Sequence, residues 1–278
     1  MKVILAEEYG FCNGVRRALA RLDKAIADNP DTPVCSIGEI IHNNDVVEKY
    51  EALGVTTVHS IQDLNNTVGV VRAHGLPNSV VENAIAEGRH IIDATCPHVR
   101  LISNLIKKEI DKGTAIYILG EPGHPEVIAA TADFGDRVTL IDHTSFDPET
   151  FNWPGAEAVL LSQTTMSEDT FAGVVNQFVR HCRSLTVHNT ICQSTRVRQR
   201  SAVELAHKVD VMIVVGGKNS SNTKRLAELC KPIVRTITIE RASDLESENL
   251  DGLQTAGVTA GASTPDEILQ EVITRLSK

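Results

Sequence analysis

Short runs rich in β-branched residues alternate with segments of helical periodicity along the whole chain of 278 residues. The run "RHIID" is followed by the amphipathic stretch "CPHVRLISNLIKKEIDKG", and "DVMIVVGG" by "NTKRLAELC". This alternation predicts βαβ units, in which helices connect parallel strands. In open parallel sheets, ligands bind beyond the carboxyl ends of the strands. We therefore expect the functional residues to lie where a strand ends and a helix begins.

Composition and charge exclude several classes of protein. No apolar run approaches the roughly 20 residues of a membrane helix, and the apolar start of the chain is too short for a secretory signal. The net charge of −9 argues against a general nucleic-acid binder, which usually carries a basic stripe. We expect a cytoplasmic protein with neither a nucleic acid nor a membrane as partner. In that reducing compartment, the six cysteines are expected to be thiols, metal ligands or catalytic groups.

Three of the cysteines share one local pattern. Cys12, Cys96 and Cys192 each follow a strand-like or turn segment, precede a helical pattern and have an arginine four residues later. They recur at intervals of about ninety residues, which indicates three similar α/β modules. A helix N-terminus stabilises a thiolate, so each position favours the ligand form of cysteine. The other three are predicted to be packing residues: Cys35, Cys182 and Cys230.

Three thiolates could bind zinc or an iron–sulfur cluster. Structural zinc usually takes ligands from close C-x-x-C pairs, which this chain lacks. Three widely spaced cysteines fit a [4Fe–4S] cluster better, and because such a cluster normally takes four thiolates, one iron would be open to a substrate. Catalysis is then favoured over electron transfer alone.

Polar residues at other predicted strand ends indicate an anionic substrate. The motif "GGKNSSN" before a helix is suited to hold phosphate with backbone N–H groups and hydroxyls, although it lacks the Walker A spacing. Histidines, hydroxyls, an amide and a carboxyl stand in corresponding places: His42, His74, His124, Glu126, Thr164, Thr165, Ser220, Ser221, Asn222 and Ser263. Residues 124–126 are predicted to form a loop after the strand "TAIYILG".

Nine motifs, in this order, resemble the 4-hydroxy-3-methylbut-2-enyl diphosphate reductase family: "GFCNGVRRA", "IIHN", "RAHG", "DATCP", "HPEV", "SQTT", "NTIC", "GGKNSSN" and "GAST". The resemblance extends from Cys12 to Ser263. It implies three α/β modules with mainly parallel sheets, related by pseudo-threefold symmetry around a central iron–sulfur cluster. The corresponding modules are 1–95, 96–190 and 191–278. Arg100 and the pair Ala129 and Ala130 depart from the family pattern, and these departures concern the packing around the site rather than the chemistry.

The resemblance also implies a role for each candidate residue. Cys12, Cys96 and Cys192 match the ligands of a [4Fe–4S] cluster with one open iron. Glu126 matches the proton donor, with His124 and either Thr164 or Thr165 beside it. The diphosphate and hydroxyl contacts match His42, His74, His124, Ser220, Ser221, Asn222 and Ser263.

The implied activity is the two-electron reductive dehydroxylation of an allylic diphosphate, the last step of the methylerythritol phosphate route to isoprenoids. The products are isopentenyl and dimethylallyl diphosphate, and ferredoxin or flavodoxin is the implied electron donor. Two other classes stay open on the residues alone. One is a hydro-lyase that removes water without net redox, and the other is a non-enzymatic iron–sulfur sensor or carrier, in which the anion-binding residues would have no purpose.

Overall fold

The computed structural model describes all 278 residues. It contains twelve β-strands. They are β1 Lys2–Leu5, β2 Val34–Ile37, β3 Thr56–Val58, β4 Val68–Val71, β5 Ile91–Asp93, β6 Ala115–Gly120, β7 Val138–Asp142, β8 Glu157–Ser162, β9 Ser184–Val187, β10 Val211–Val215, β11 Thr236–Ile239 and β12 Thr255–Ala260.

Nine α-helices connect or flank the strands. They are α1 Asn13–Asp28, α2 Asn44–Ala52, α3 Asn78–Ala86, α4 Pro97–Ile110, α5 Pro125–Thr131, α6 Glu168–His181, α7 Gln193–Ala206, α8 Ser221–Cys230 and α9 Asp266–Leu276. None of the helices combines the length and the apolar character that a membrane crossing requires.

The strands form three four-stranded sheets, and every strand pair is parallel. The first sheet has the order β3-β2-β4-β5, the second β7-β6-β8-β9 and the third β1-β12-β10-β11. Each sheet is built from successive strand–helix units, as the alternating sequence pattern predicts. The prediction of three parallel-sheet α/β modules is confirmed.

Central strands of the sheets read as continuous apolar runs because helices cover both faces. All five residues of β10, Val211–Val215, are fully buried. Side chains of β10 alternate between two hydrophobic clusters, one including helix α9 and the other including α7 and α8. In the second sheet, β6 and β8 likewise contribute to one cluster with α4 and another with α6. This packing fixes the strand ends on which the candidate residues lie.

The chain divides into two compact units. The terminal unit comprises Met1–Arg16, Ile41–Ala52 and Gln193–Lys278 and contains the third sheet. The central unit comprises Arg17–Ile40 and Leu53–Cys192 and contains the first and second sheets. The proposed module boundaries at 95/96 and 190/191 stay predictions, with one difference in strand membership. Strand β1 belongs by chain order to residues 1–95 but pairs with β12 in the third sheet, Lys2 opposite Thr255.

Four elements carry only a weak local pattern because they are short or rich in small residues: β3, β12, α2 and α5. Strand β12 has the weak β-former Gly257 at its centre, where the Cβ of a larger residue would stand 2.5 Å from the sulfur of Met212. The prediction of a loop at 124–126 is wrong. His124 is the N-cap of α5 and Pro125 its first residue, so Glu126 lies in the first helical turn. Proline is favoured at that position because its fixed φ suits the first turn and its missing N–H leaves no bond unmade.

Candidate active site

Cys96 lies at the junction between β5 and α4, as the sequence predicts. It is the N-cap residue of α4, and Pro97 occupies the first turn. The Cys96 N–H donates to the carbonyl of Ala73 at 2.9 Å, which fixes the cysteine against the segment carrying His74. The side chain is partly buried. The thiol therefore stands at the positive end of a fourteen-residue helix, where a thiolate is favoured.

An ion pair closes the loop that presents Cys96. The Asp93 carboxylate accepts a bond from the Thr95 N–H at 2.8 Å and pairs with the guanidinium of Arg100 one turn into α4. Arg100, which departs from the family pattern, therefore binds the aspartate of the "DATC" motif. The other departure, Ala129, packs beside the "RAHG" segment, because a Cβ placed on Gly75 would stand 3.3 Å from its methyl group.

Cys12 and Cys192 have the same relation to the helices that follow them. The Cys12 N–H donates to the carbonyl of Ala262 at 3.1 Å, and its sulfur accepts from the Val15 N–H in the first turn of α1 at 3.4 Å. Cys192 immediately precedes α7, and its N–H donates to the carbonyl of Thr164 at 3.0 Å. The repeated pattern in the sequence thus corresponds to a repeated local geometry.

The remaining cysteines have different environments. Cys35 and Cys230 are buried, whereas Cys182 is partly exposed like Cys12, Cys96 and Cys192, and no cysteine is in a disulfide. Burial raises the pKa of the Cys230 thiol to about 11, which keeps it protonated at neutral pH. Burial also raises the pKa of Cys182. These environments suit packing residues rather than thiolate ligands.

No three His, Cys, Asp or Glu side chains lie close enough together to hold a single metal ion. A cubane cluster does not require such convergence, because each thiolate binds a different iron. Three unbridged, partly exposed cysteines at helix starts are a suitable donor set for that kind of group.

Glu126 is the most unusual titratable residue of the central unit. It is only 3% exposed. One carboxylate oxygen accepts from the backbone N–H of Thr164 at 2.6 Å, and the other accepts from the Thr164 hydroxyl at 2.7 Å. Burial raises the pKa of the Glu126 carboxyl from 4.5 to about 7, and the charge of Glu121 adds to the rise, whereas the bonds from Thr164 oppose it. At neutral pH the group can therefore both hold and release a proton.

Two histidines lie next to this carboxyl. Nδ1 of the buried His124 accepts from the Glu126 N–H at 3.1 Å, so in the neutral ring the proton is on Nε2. The ring of His74 packs edge-on against His124, with centroids 5.6 Å apart. The central unit therefore brings together the predicted residues His74, His124, Glu126 and Thr164 at the carboxyl ends of its strands.

The two candidate threonines have different partners. Thr164 makes both bonds to Glu126, whereas the Thr165 hydroxyl accepts from the side-chain amide of Gln163 at 3.0 Å. This geometry favours Thr164 as the residue beside the acid. Gln163 was missed as a functional candidate, although it lies inside the quoted "SQTT" motif.

The terminal unit brings together the "IIHN", "GGKNSSN" and "GAST" motifs. The Ser263 hydroxyl donates to the carbonyl of His42 at 2.9 Å. A Cβ on Gly217 would stand 2.9 Å from the same carbonyl, which explains the glycine at this close approach. Two strand-end loops of the third sheet therefore contact the segment that begins with His42.

The start of α8 holds three of the predicted anion contacts. Ser220 is the N-cap, and its hydroxyl accepts from the Thr223 N–H. Ser221 and Asn222 follow in the first turn, and all three residues are buried. Both polar atoms of the Asn222 side chain, Oδ1 and Nδ2, lack a hydrogen-bond partner. A buried amide without partners costs free energy in the folded protein, so its presence here points to a polar ligand.

Comparison with known proteins places the chain in a family. The family model described as "LytB protein" matches residues 3–277. The chain is similar to 4-hydroxy-3-methylbut-2-enyl diphosphate reductases of Clostridioides difficile, 35% identical with 99% of each chain covered, and of Trichlorobacter lovleyi, 38% identical with 100% of this chain and 98% of the relative covered.

Two solved structures are similar over the whole chain. One is described as the E-1-hydroxy-2-methyl-but-2-enyl-4-diphosphate reductase of Plasmodium falciparum, with a TM-score of 0.92, 26% identity and 88% of that chain covered. The other is described as the terminal enzyme of the non-mevalonate pathway, with a TM-score of 0.69, 33% identity and 99% of that chain covered. On the extent of these matches, the chain belongs to the LytB protein family.

Proposed function

We propose that the chain is a reductase that converts (E)-4-hydroxy-3-methylbut-2-enyl diphosphate to isopentenyl and dimethylallyl diphosphate. The observation that carries the proposal is the buried Glu126 carboxyl, held by Thr164, with a pKa raised to about 7. A general acid works best when its pKa is close to the working pH. The family membership and the names of the relatives support the same reaction.

The proposed cofactor is a [4Fe–4S] cluster with Cys12, Cys96 and Cys192 as its three ligands. Their unbridged state and shared position at helix starts support this assignment. When bound, such a cluster supplies electrons one at a time, and an iron without a protein ligand acts as a Lewis acid toward an oxygen of the substrate. In the balanced reaction, the substrate gains two electrons and two protons, its allylic C–O bond breaks, a C–H bond forms, and water leaves.

The proposed role of Glu126 is to deliver the proton to the departing hydroxyl. The Thr164 hydroxyl donates to the carboxylate, so it holds the acid in one orientation and stabilises the carboxylate left after transfer. His124 also lies at this start of α5, where its ring nitrogen accepts the Glu126 N–H. These contacts orient the acid without consuming the proton that it must give.

The proposed diphosphate contacts are His42, His74, His124, Ser220, Ser221, Asn222 and Ser263. The orphaned amide of Asn222 supports this assignment most directly, because diphosphate oxygens would accept its N–H groups. Backbone N–H groups in the first turn of α8 would add to anion binding. Binding energy from the diphosphate, which does not react, would then position the reacting carbon.

Three finer points stay predictions: the cytoplasmic location, the use of ferredoxin or flavodoxin as donor, and the three module boundaries. The hydro-lyase and sensor alternatives are separated from the reductase by one requirement. A reductase consumes the allylic diphosphate only with an electron donor, a hydro-lyase consumes it without one, and a sensor does not consume it.

The test uses anaerobically purified protein with a chemical one-electron reductant. We expect conversion to both five-carbon diphosphates with reductant and no conversion without it. Serine in place of Cys12, Cys96 or Cys192 should lower the iron content and the visible absorption of the protein, whereas serine in place of Cys35, Cys182 or Cys230 should preserve both. Equal iron loss in the two groups would overturn the ligand assignment, and consumption without reductant would overturn the reaction.

A further inference from the structure

We propose that Gln163 is the positioning residue that holds the two strand-end loops around Glu126 in register. The inference rests on the proposed role of Glu126 as the acid. Gln163 is fully buried and carries no charge, and nothing assigned so far uses its side chain.

The amide of Gln163 links two loops of the second sheet. Its Oε1 accepts a bond of 2.9 Å from the backbone N–H of Glu121. Glu121 begins the segment between β6 and α5. Its Nε2 donates to the Thr165 hydroxyl, in the segment between β8 and α6, at 3.0 Å. One side chain thus satisfies a group on each loop, and its own backbone N–H donates to Leu119 at the end of β6 at 2.8 Å.

The neighbouring backbone is shaped to accept this amide. A Cβ on Gly120 would stand 3.1 Å from Gln163 Oε1 and 2.9 Å from a methyl of Val127. A side chain at position 120 would therefore push apart the amide and helix α5, which carries Glu126. The close approach of β6, Gln163 and α5 requires this glycine.

The position of Glu126 depends on the same two loops. Glu126 belongs to the helix that follows the Glu121 loop, and its carboxylate bonds to Thr164, the residue after Gln163. Bonds of 2.6 and 2.7 Å from one threonine tolerate little relative movement of the loops. The Gln163 amide is the second connection between them, so it fixes the distance that these bonds require.

The consequence for Glu126 is readable in its titration. The bonds from Thr164 stabilise the carboxylate, so loosening them raises the pKa of Glu126 further. The titratable groups near this carboxyl are Glu121, His124, and His74 behind His124. A substitution at Gln163 changes none of these titratable side chains, although the backbone N–H of Glu121 loses its acceptor.

The experiment compares Gln163→Met with the parent in the cluster-loaded enzyme. Methionine preserves the length and volume of the side chain but makes neither amide bond. We expect kcat to fall about tenfold, while inhibition by inorganic pyrophosphate stays within twofold. The alkaline limb of the pH profile should move upward by about one pH unit, since general acid catalysis follows the protonated fraction.

Infrared titration of the carboxyl provides a readout that does not depend on turnover. With ¹³C-labelled glutamate, the band absent from Glu126→Gln identifies the Glu126 carboxyl, and its midpoint should rise in Gln163→Met. Gln177→Met, a half-buried glutamine on α6, is the matched control and should change neither the midpoint nor the pH profile.

A second variant tests the proposal in case Gln163→Met does not fold. In Gln163→Glu the new carboxyl keeps the acceptor for Glu121, and when protonated it can also donate to Thr165. We expect near-parental turnover at acid pH and a steeper loss at alkaline pH.

An unchanged Glu126 midpoint in Gln163→Met would overturn the positioning role. If that variant does not fold, turnover of Gln163→Glu that stays parental at alkaline pH, where its carboxylate cannot donate to Thr165, would overturn it. An unaffected turnover in Glu126→Gln would overturn the acid role instead, so the two failures are distinguishable.

Discussion

Replacing Glu126 by glutamine removes the transferable proton and little else. The glutamine carbonyl can accept from the Thr164 N–H in place of the carboxylate oxygen. Its amide can donate to the Thr164 hydroxyl, because a hydroxyl accepts as well as donates. The buried contacts of the side chain are therefore preserved, and any loss of turnover reports on proton delivery.

The expected loss of turnover is about 10² to 10⁴, the usual contribution of general acid catalysis. With a pKa of about 7, about half of the parent enzyme carries the proton at neutral pH. Turnover of the parent should therefore fall as the pH rises through about 7. The residual rate of Glu126→Gln should not show this limb, because no carboxyl titrates.

Although Glu126→Gln should lose turnover, it should gain folding stability. The pKa of Glu126 is raised from 4.5 to about 7, so between these values the folded state keeps a proton that the unfolded chain has released. The free energy of unfolding therefore decreases as the pH rises through this interval, by about 3 kcal/mol at about 1.4 kcal/mol per pH unit. Glutamine removes this dependence. Glu126→Gln should be more stable than the parent by up to about 3 kcal/mol above neutrality and similar to it near pH 4.

The assay measures anaerobic turnover with excess one-electron reductant across the pH range, together with urea unfolding of both proteins at an acid and an alkaline pH. Iron content and pyrophosphate inhibition are measured on the same samples, and both should match the parent. Turnover within a few-fold of the parent would refute the reasoning. Proton delivery would then belong to the substrate's own diphosphate or to water relayed through Thr164.

Three further changes test the surrounding residues. His74→Phe should weaken pyrophosphate inhibition about tenfold, because His74 is a proposed diphosphate contact. The visible absorption should be preserved, since the ring packs on His124 and is not a proposed ligand of the cluster. Unaltered inhibition would remove His74 from the anion site. Asn222→Leu should raise the free energy of unfolding of the ligand-free protein by about 1 kcal/mol or more by removing a buried unpaired amide, yet abolish detectable pyrophosphate binding in calorimetry. A destabilised variant would contradict the orphaned state of that amide. Arg100→Lys should cost less than about 1 kcal/mol in urea unfolding and keep turnover within twofold, because the pair with Asp93 is partly exposed and a lysine can replace it. A larger loss would show that the guanidinium fork itself holds the Cys96 loop.

The module type and the cysteine positions were readable from local sequence. Apolar runs such as Val211–Val215 indicate buried parallel strands, and helix-forming stretches after them indicate the crossovers. The contexts of Cys12, Cys96 and Cys192 repeat because the same strand-to-helix junction imposes the same local requirements three times. Helix α1, Asn13–Asp28, is likewise readable from sequence, because its amphipathic pattern is long and uninterrupted.

Short elements were harder to predict because few residues carry their pattern. Helix α5 has seven residues, too few for two turns of apolar periodicity, so the segment around Glu126 was predicted as a loop. Its proline at the first helical position was the available signal. Strand β12 contains small residues because helix and strand neighbours pack against Gly257, and that demand comes from contacts distant in sequence.

What the sequence by itself determined is the parallel α/β architecture, the resemblance to the reductase family and the identity of the candidate residues, since these follow from periodicity and short motifs. Only the tertiary structure decided that β1 pairs with β12, because a parallel strand can extend any open sheet edge and local sequence does not specify which. It also decided which threonine bonds Glu126 and that Gln163 bridges the two loops. The raised pKa of Glu126 has the same origin, because burial is a property of the packed chain and not of the "HPEV" motif.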